Sequence, residues 1–179
     1  MKRNYFGISA GIVAFVSLLL PWFNIELWTE NLSSTMNFAA NLYQLTGTVE
    51  GTTARVFLMT WFTVGAIILM CITGATALLG STLIKRKRKL FLIVSCAFAL
   101  IAMLIFGYGL ANSSFAVEEI NPGYTISQFP KDTFGLSAEE SMQNSYHYTW
   151  NAGIGFWLAL ATAILALVAT FMSRKMGEK

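Results

Sequence analysis

Few residues in this chain have types able to do chemistry, and they lie far apart. The one histidine, His147, sits in Tyr146-His147-Tyr148-Thr149-Trp150, an aromatic run of the kind that gathers at a membrane–water interface. An imidazole there titrates near neutral pH, but its neighbours favour a structural place in the aromatic belt. Glu118-Glu119 and Glu139-Glu140 are adjacent acid pairs, without the further oxygen ligands at loop spacing that calcium requires. Cys71 and Cys96 both fall inside apolar runs, so neither a disulfide framework nor a thiolate metal site is read. The apolar runs hold no Asp/Glu/His relay, and no phosphate-cradling glycine loop or Ser/His/Asp spacing occurs. The expectation is a chain that is not an enzyme, with no catalytic residue, no cofactor and no metal.

The elements that carry these residues are membrane spans. Of the 179 residues, 55% are hydrophobic and 12% charged, about half the charge content of an ordinary soluble domain. A water-soluble globule of this size could not cover so much apolar surface. The apolar runs are 5–23, 56–83, 90–111 and 150–172, each long enough to cross about 30 Å of hydrocarbon. The first follows Lys2-Arg3 but ends Leu20-Pro21-Trp22-Phe23, with no small-residue cleavage site, and is read as a retained span.

Charge sets the direction. One side carries Lys2, Arg3, Lys85, Arg86, Lys87, Arg88, Lys89, Arg174, Lys175 and Lys179, ten bases against the single acid Glu178. The other carries eight acids, with only Arg55 and Lys131. Bases stay cytoplasmic, so both termini and an inner basic hairpin at 84–89 face inward. The net charge of +3 therefore reflects topology and not nucleic-acid binding. Lys85, Arg86, Lys87, Arg88 and Lys89 act first as a topology determinant and can also attract anionic lipid headgroups.

Two acidic outer loops remain, 24–55 and 112–149. In the first, Phe23, Ile25 and Leu27 alternate with Asn24, Glu26 and Trp28, the period of a half-buried strand. The stretch 36–45 predicts a second and third short strand, after a turn at 31–34. In the second loop, 115–118 and 124–127 flank Asn121-Pro122-Gly123, a hairpin signature. Ser137-Ala138-Glu139-Glu140 has capping-box form and predicts a helix running through His147 into the fourth span. Asn31-Leu32-Ser33 and Asn112-Ser113-Ser114 match the glycosylation acceptor pattern, with Asn112 close to its span.

The spans carry association signals. Gly7 and Gly11 form a small-xxx-small pair on the first, and Gly155, Ala159 and Ala163 a small stripe on the fourth. Such residues let helix backbones approach where lipid offers no hydrophobic drive, more often within one bundle than between chains. Gly74 and Gly80 read the same way. Trp22, Trp61 and Trp150 read as anchors near the outer interface. Thr60, Thr63, Thr73, Thr76 and Ser81 are the only candidate pore lining.

In this order of features the chain resembles the claudin and peripheral-myelin-protein superfamily of four-span proteins. The matching residues are Pro21-Trp22 closing the first span, Glu26-Leu27-Trp28 like the family's Gly-Leu-Trp signature, Leu42-Tyr43 late in the loop, and Ala54-Arg55 opening the second span. The span order matches over the whole chain, the local motif only over 21–59. The family's two loop cysteines would fall at Asn31 and near Ala40 or Asn41, and the second loop, not the first, is the longer one. The resemblance implies that Trp22 and Trp28 seat an outer sheet on the bundle, and that Arg55 bonds loop carbonyls or pairs with Glu26, Glu30 or Glu50.

The expectation is an all-α membrane protein, a single integral domain over 1–179. It is a four-helix transmembrane bundle with termini inside and a small extracellular β-containing subdomain built from both outer loops. It would lie in the plasma membrane and work by association with lipids, with other membrane subunits or with itself. An accessory subunit of a larger complex is the leading reading; a claudin-like adhesion or barrier protein and a small oligomeric channel or transporter are the alternatives.

Overall fold

The structure is a computed structural model that describes residues 4–29, 32–40, 42, 44–49, 52–57, 60–82, 85–111, 115–116, 125–126, 137–142 and 146–175, with side chains for 4–24, 42, 60–82, 87–109 and 151–173. Four helices form the bundle: α1 (Tyr5–Leu19), α2 (Trp61–Thr82), α3 (Lys85–Ala111) and α4 (Ile154–Lys175). Helices α2, α3 and α4 are long and apolar enough to cross a membrane, and α1 is a shorter apolar helix. Large apolar side chains are exposed around the bundle, among them Ile12, Ile68, Leu104, Ile164 and Phe171. Buried positions instead hold Ala10, Ala14, Ala66, Ala77, Ala99, Ala102, Ala159, Ala163, Ala166 and Ala169. Small residues inside and large ones outside suit a bundle solvated by lipid. The helices fit an integral multi-pass membrane protein.

Each helix packs on two neighbours, α1 on α2 and α4, and α3 on α2 and α4. All neighbours run antiparallel. Asn4 at the start of α1 donates from Nδ2 to the Ala169 carbonyl (2.8 Å) and to Ser173 Oγ (2.9 Å) near the end of α4. Its Oδ1 caps α1 by accepting from the Gly7 amide at 3.3 Å. Asn4→Ala is expected to lower stability by about 2 kcal/mol, since a cap and two buried bonds are lost together. Asn4→Ser keeps a capping oxygen and should fall between, as read by thermal unfolding in detergent. Equal melting of all three proteins would deny Asn4 this role.

The first apolar run is helical only to Leu19. Pro21 cannot continue the helix and pushes its predecessor out of the α region, and Leu20 is extended at φ −105°, ψ 155°. The fifteen helical residues span about 22 Å. Extended Leu20–Trp22 adds about 10 Å, which restores a membrane-length crossing. The second run begins its helix at Trp61, because 56–57 close a strand. The fourth begins at Ile154, because 150–152 end one. Of the expected basic hairpin at 84–89, residues 85–89 instead open α3, Lys and Arg being good helix formers, and residue 84 lies outside the described residues.

The β part is larger than the sequence suggests. Strands β1 (Phe23–Thr29), β2 (Leu32–Ala40), β3 (Gln44–Val49) and β4 (Thr52–Phe57) come from the first loop. The second loop adds β5 (Phe115–Ala116), β6 (Thr125–Ile126), β7 (Ser137–Met142) and β8 (Tyr146–Ala152). Six of them form one antiparallel sheet in the order β4-β3-β2-β1-β8-β7, and β5 pairs with β6 as a separate hairpin. The alternation over 23–28 is β1, and β5 and β6 pair on either side of Asn121-Pro122-Gly123, which lies outside the described residues. Of the expected turn at 31–34, residues 32–34 belong instead to β2, where Leu32 pairs with Thr29, and Asn31 lies outside the described residues. The helix expected from Ser137 is strand β7, paired with β8 from Ser137↔Asn151 to Met142↔Tyr146. A capping box is a local signal. The β-forming Tyr146-His147-Tyr148-Thr149-Trp150 offers a ladder partner instead, and packing against a neighbouring strand outweighs local propensity.

Candidate functional site

The place where sheet meets bundle concentrates the unusual geometry. Because α1 stops at Leu19, its last carbonyls lack helical donors. The Ser17 carbonyl would ordinarily accept from residue 21, which is Pro21 and has no N–H. The Trp22 indole supplies the missing donor, its Nε1 reaching the Ser17 carbonyl at 2.8 Å. Trp22 is fully buried, and its ring meets Phe106 (centroids 5.1 Å) and Phe156 (5.9 Å) edge-on, the favoured arrangement for aromatic quadrupoles. Phe23, Leu42, Phe62, Phe106 and Phe156 share its core, so Leu42, between β2 and β3, reaches the helices. An anchor at the outer interface would keep its indole N–H in the headgroup layer; here the N–H is buried and spent on α1.

Two glycines complete the seat. Gly153 donates its amide to the Trp22 carbonyl (2.8 Å), and Gly155 donates to the Pro21 carbonyl (2.7 Å). A Cβ on Gly155 would lie 2.6 Å from the Leu20 carbonyl oxygen and from Trp22 Cδ1. A Cβ on Gly153 would press on the Pro21 carbonyl oxygen. These contacts let the chain leaving α1 touch the chain entering α4. Beyond them β1 and β8 run side by side from Phe23↔Ala152 to Thr29↔Tyr146. One sheet therefore joins both loops.

The other sequence-predicted residues are dispersed. Trp28 and His147 are paired positions of β1 and β8, and Arg55 of β4 pairs with Thr46 of β3; their side chains lie outside the described residues. So do Asn31, Asn112 and the side chains of Trp150, Lys85 and Arg86. Gly7 faces Ser81 and Leu92, Gly11 faces Leu78 and the Gly74 carbonyl, and Gly74 faces Phe15. Gly155, Ala159 and Ala163 are buried. Gly7, Gly11 and Gly74 thus pack helices of the same chain, and Gly155 packs on the end of α1 and the segment that follows it. Lys87 and Lys89 are exposed and Arg88 is buried.

The hydroxyls of α2 lie mostly against its own backbone. Thr63, Thr76 and Ser81 donate to the carbonyls of Thr60 (3.0 Å), Ile72 (2.7 Å) and Ala77 (2.6 Å), and Thr60 Oγ1 accepts from the Thr63 amide at the helix start. Thr63, Thr73 and Ser81 are buried among neighbouring helices. Trp61, Tyr108 and Trp157 are exposed at the sheet end of the bundle, where amphipathic rings mark an interface level. Among the described residues no group of three or more His, Cys, Asp or Glu is placed to hold a metal ion.

No protein-family model and no curated protein matches the chain. The seat is therefore read from its own geometry. Sequence reasoning overlooked Gly153 and Phe106, neither of which carries a local signal, and Leu42 appeared only within the Leu42-Tyr43 match. Asn4 was overlooked as well, although it carries a signal, since Asn before an apolar run is an N-cap signature.

Proposed function

We propose that this is a non-enzymatic four-span protein that works by association, as an accessory or structural subunit of a larger membrane complex. The carrying observation is the six-stranded sheet drawn from both loops and tied to α1 and α4 through Trp22 and Gly153. Such a seat gives a contact platform a fixed attitude on the bundle and limits the ordering entropy that a loose loop would lose on binding. In this reading the basic end, with both termini, is cytoplasmic, and the sheet stands outside the plasma membrane. The resemblance to claudins and peripheral myelin proteins fits a sheet crowning four spans, and it leaves adhesion between cells as the second version. The channel reading has less support, since the α2 hydroxyls that would line a pore are bonded within their helix or covered by its neighbours.

The test is gentle solubilisation from the native membrane, followed by native mass measurement and identification of what co-purifies. A stable assembly with unrelated subunits is expected. A lone chain or pure homo-oligomer would defeat the accessory reading, and cell-aggregation and ion-flux assays would then separate adhesion from conduction.

A further inference from the structure

The basic end of the bundle holds a cation whose needs the bundle does not meet. Arg88 stands in the first turn of α3, yet it is only 8% exposed, and its buried Nε has no hydrogen-bond partner. Gly80 lets the end of α2 close on this turn: a Cβ there would lie 3.3 Å from the Arg88 carbonyl oxygen and 3.1 Å from Leu92 Cγ. Side chains of a helix lean toward its N-terminus, so Arg88 lies back over the opening turn. The first N–H groups of a helix have no intrahelical acceptor, and this first turn carries no acidic residue. Five consecutive cations, Lys85–Lys89, occupy the end of the helix where the backbone dipole already places positive charge.

A buried guanidinium whose Nε has no partner among the described residues and an all-cationic helix start are relieved by the same ligand, an oxyanion with several acceptor oxygens. We propose that the first turn of α3, centred on Arg88, binds the phosphate of an anionic phospholipid at the basic end of the bundle. A lipid suits the place better than free phosphate, because the turn opens the apolar length of α3: a headgroup seated on the helix end leaves its acyl chains to run down the outer face of exposed Leu90 and Ile93, across the helix from Arg88. Exposed Lys87 and Lys89 attract the anionic surface at a distance. Arg88 holds one headgroup, and its planar fork is what lysine lacks.

The test uses the full chain purified in neutral detergent, with lipid retention read by native mass spectrometry and stability by thermal unfolding. Phosphatidylglycerol and phosphatidylcholine with matched acyl chains are the probes. The wild-type chain should retain one phosphatidylglycerol about tenfold more tightly than phosphatidylcholine, and melt higher with it. Arg88→Lys keeps the charge and should fall to the phosphatidylcholine level, whereas Lys87→Gln/Lys89→Gln should keep the single bound lipid. Equal retention of the two lipids by wild type overturns the proposal without any variant. It is also overturned if Arg88→Lys retains phosphatidylglycerol like wild type, or if the double variant loses it as fully as Arg88→Lys, since attraction would then be diffuse. Inorganic phosphate that displaces the lipid and raises melting equally would overturn the lipid source in favour of the free ion.

Discussion

Trp22→Ala is expected to destabilise the folded chain by about 3–5 kcal/mol, the range for truncating a large buried aromatic residue. Trp22 is the largest fully buried side chain among the described residues. Its removal leaves a cavity between Phe106 and Phe156 that rings on two different helices cannot close together. It also strips the Ser17 carbonyl of its donor. Trp22→Phe separates the two effects. A benzene ring fills much of the space, but the carbonyl stays unpaired because Pro21 has no N–H to offer, and that orphan costs about 1–3 kcal/mol. Unfolding in mixed detergent micelles measures both, and limited proteolysis of 23–57 reports whether the sheet loosens. If Trp22→Phe matches wild type, the indole bond contributes nothing and the seat depends on ring volume alone.

Gly153→Ala should be the other large loss. The atoms facing its new methyl are the Pro21 carbonyl oxygen, the Pro21 carbonyl carbon at 2.8 Å and the Trp22 carbonyl carbon at 3.0 Å. All are backbone, so no side chain can swing away, and relief requires parting the chains that leave α1 and enter α4. Overpacking of this kind costs about 1–3 kcal/mol, and the 2.8 Å bond from the Gly153 amide to the Trp22 carbonyl would stretch with it. Gly65→Ala is the matched control. The nearest atom there is Ile105 Cγ2 at 3.7 Å, an ordinary contact, and Ala is the better helix former by about 1 kcal/mol. Gly65→Ala should therefore melt at or above wild type. Equal losses at both glycines would mean that the α1–α4 junction yields more easily than its geometry implies.

The chain by itself determined its solvent and its spans. Whether a run of some twenty residues lies in lipid depends on their summed transfer free energy, a property of composition that needs no partner. The strand at 23–28 was legible too, because its alternation is local. Tertiary structure decided the rest. Ser137–Met142 carries a helix-start signal yet forms a strand, because its ladder partner is β8, which is itself paired with β1 from the far end of the chain. Trp22 reads as an interface anchor and is a core residue, because its place depends on Phe106, Phe156 and a carbonyl that Pro21 leaves bare. Gly155 reads as part of a helix stripe, but its partner is the extended chain after α1. Hydropathy sums over neighbours in sequence, whereas pairing, cavities and unpaired carbonyls are set by neighbours in space, and only the folded chain brings those together.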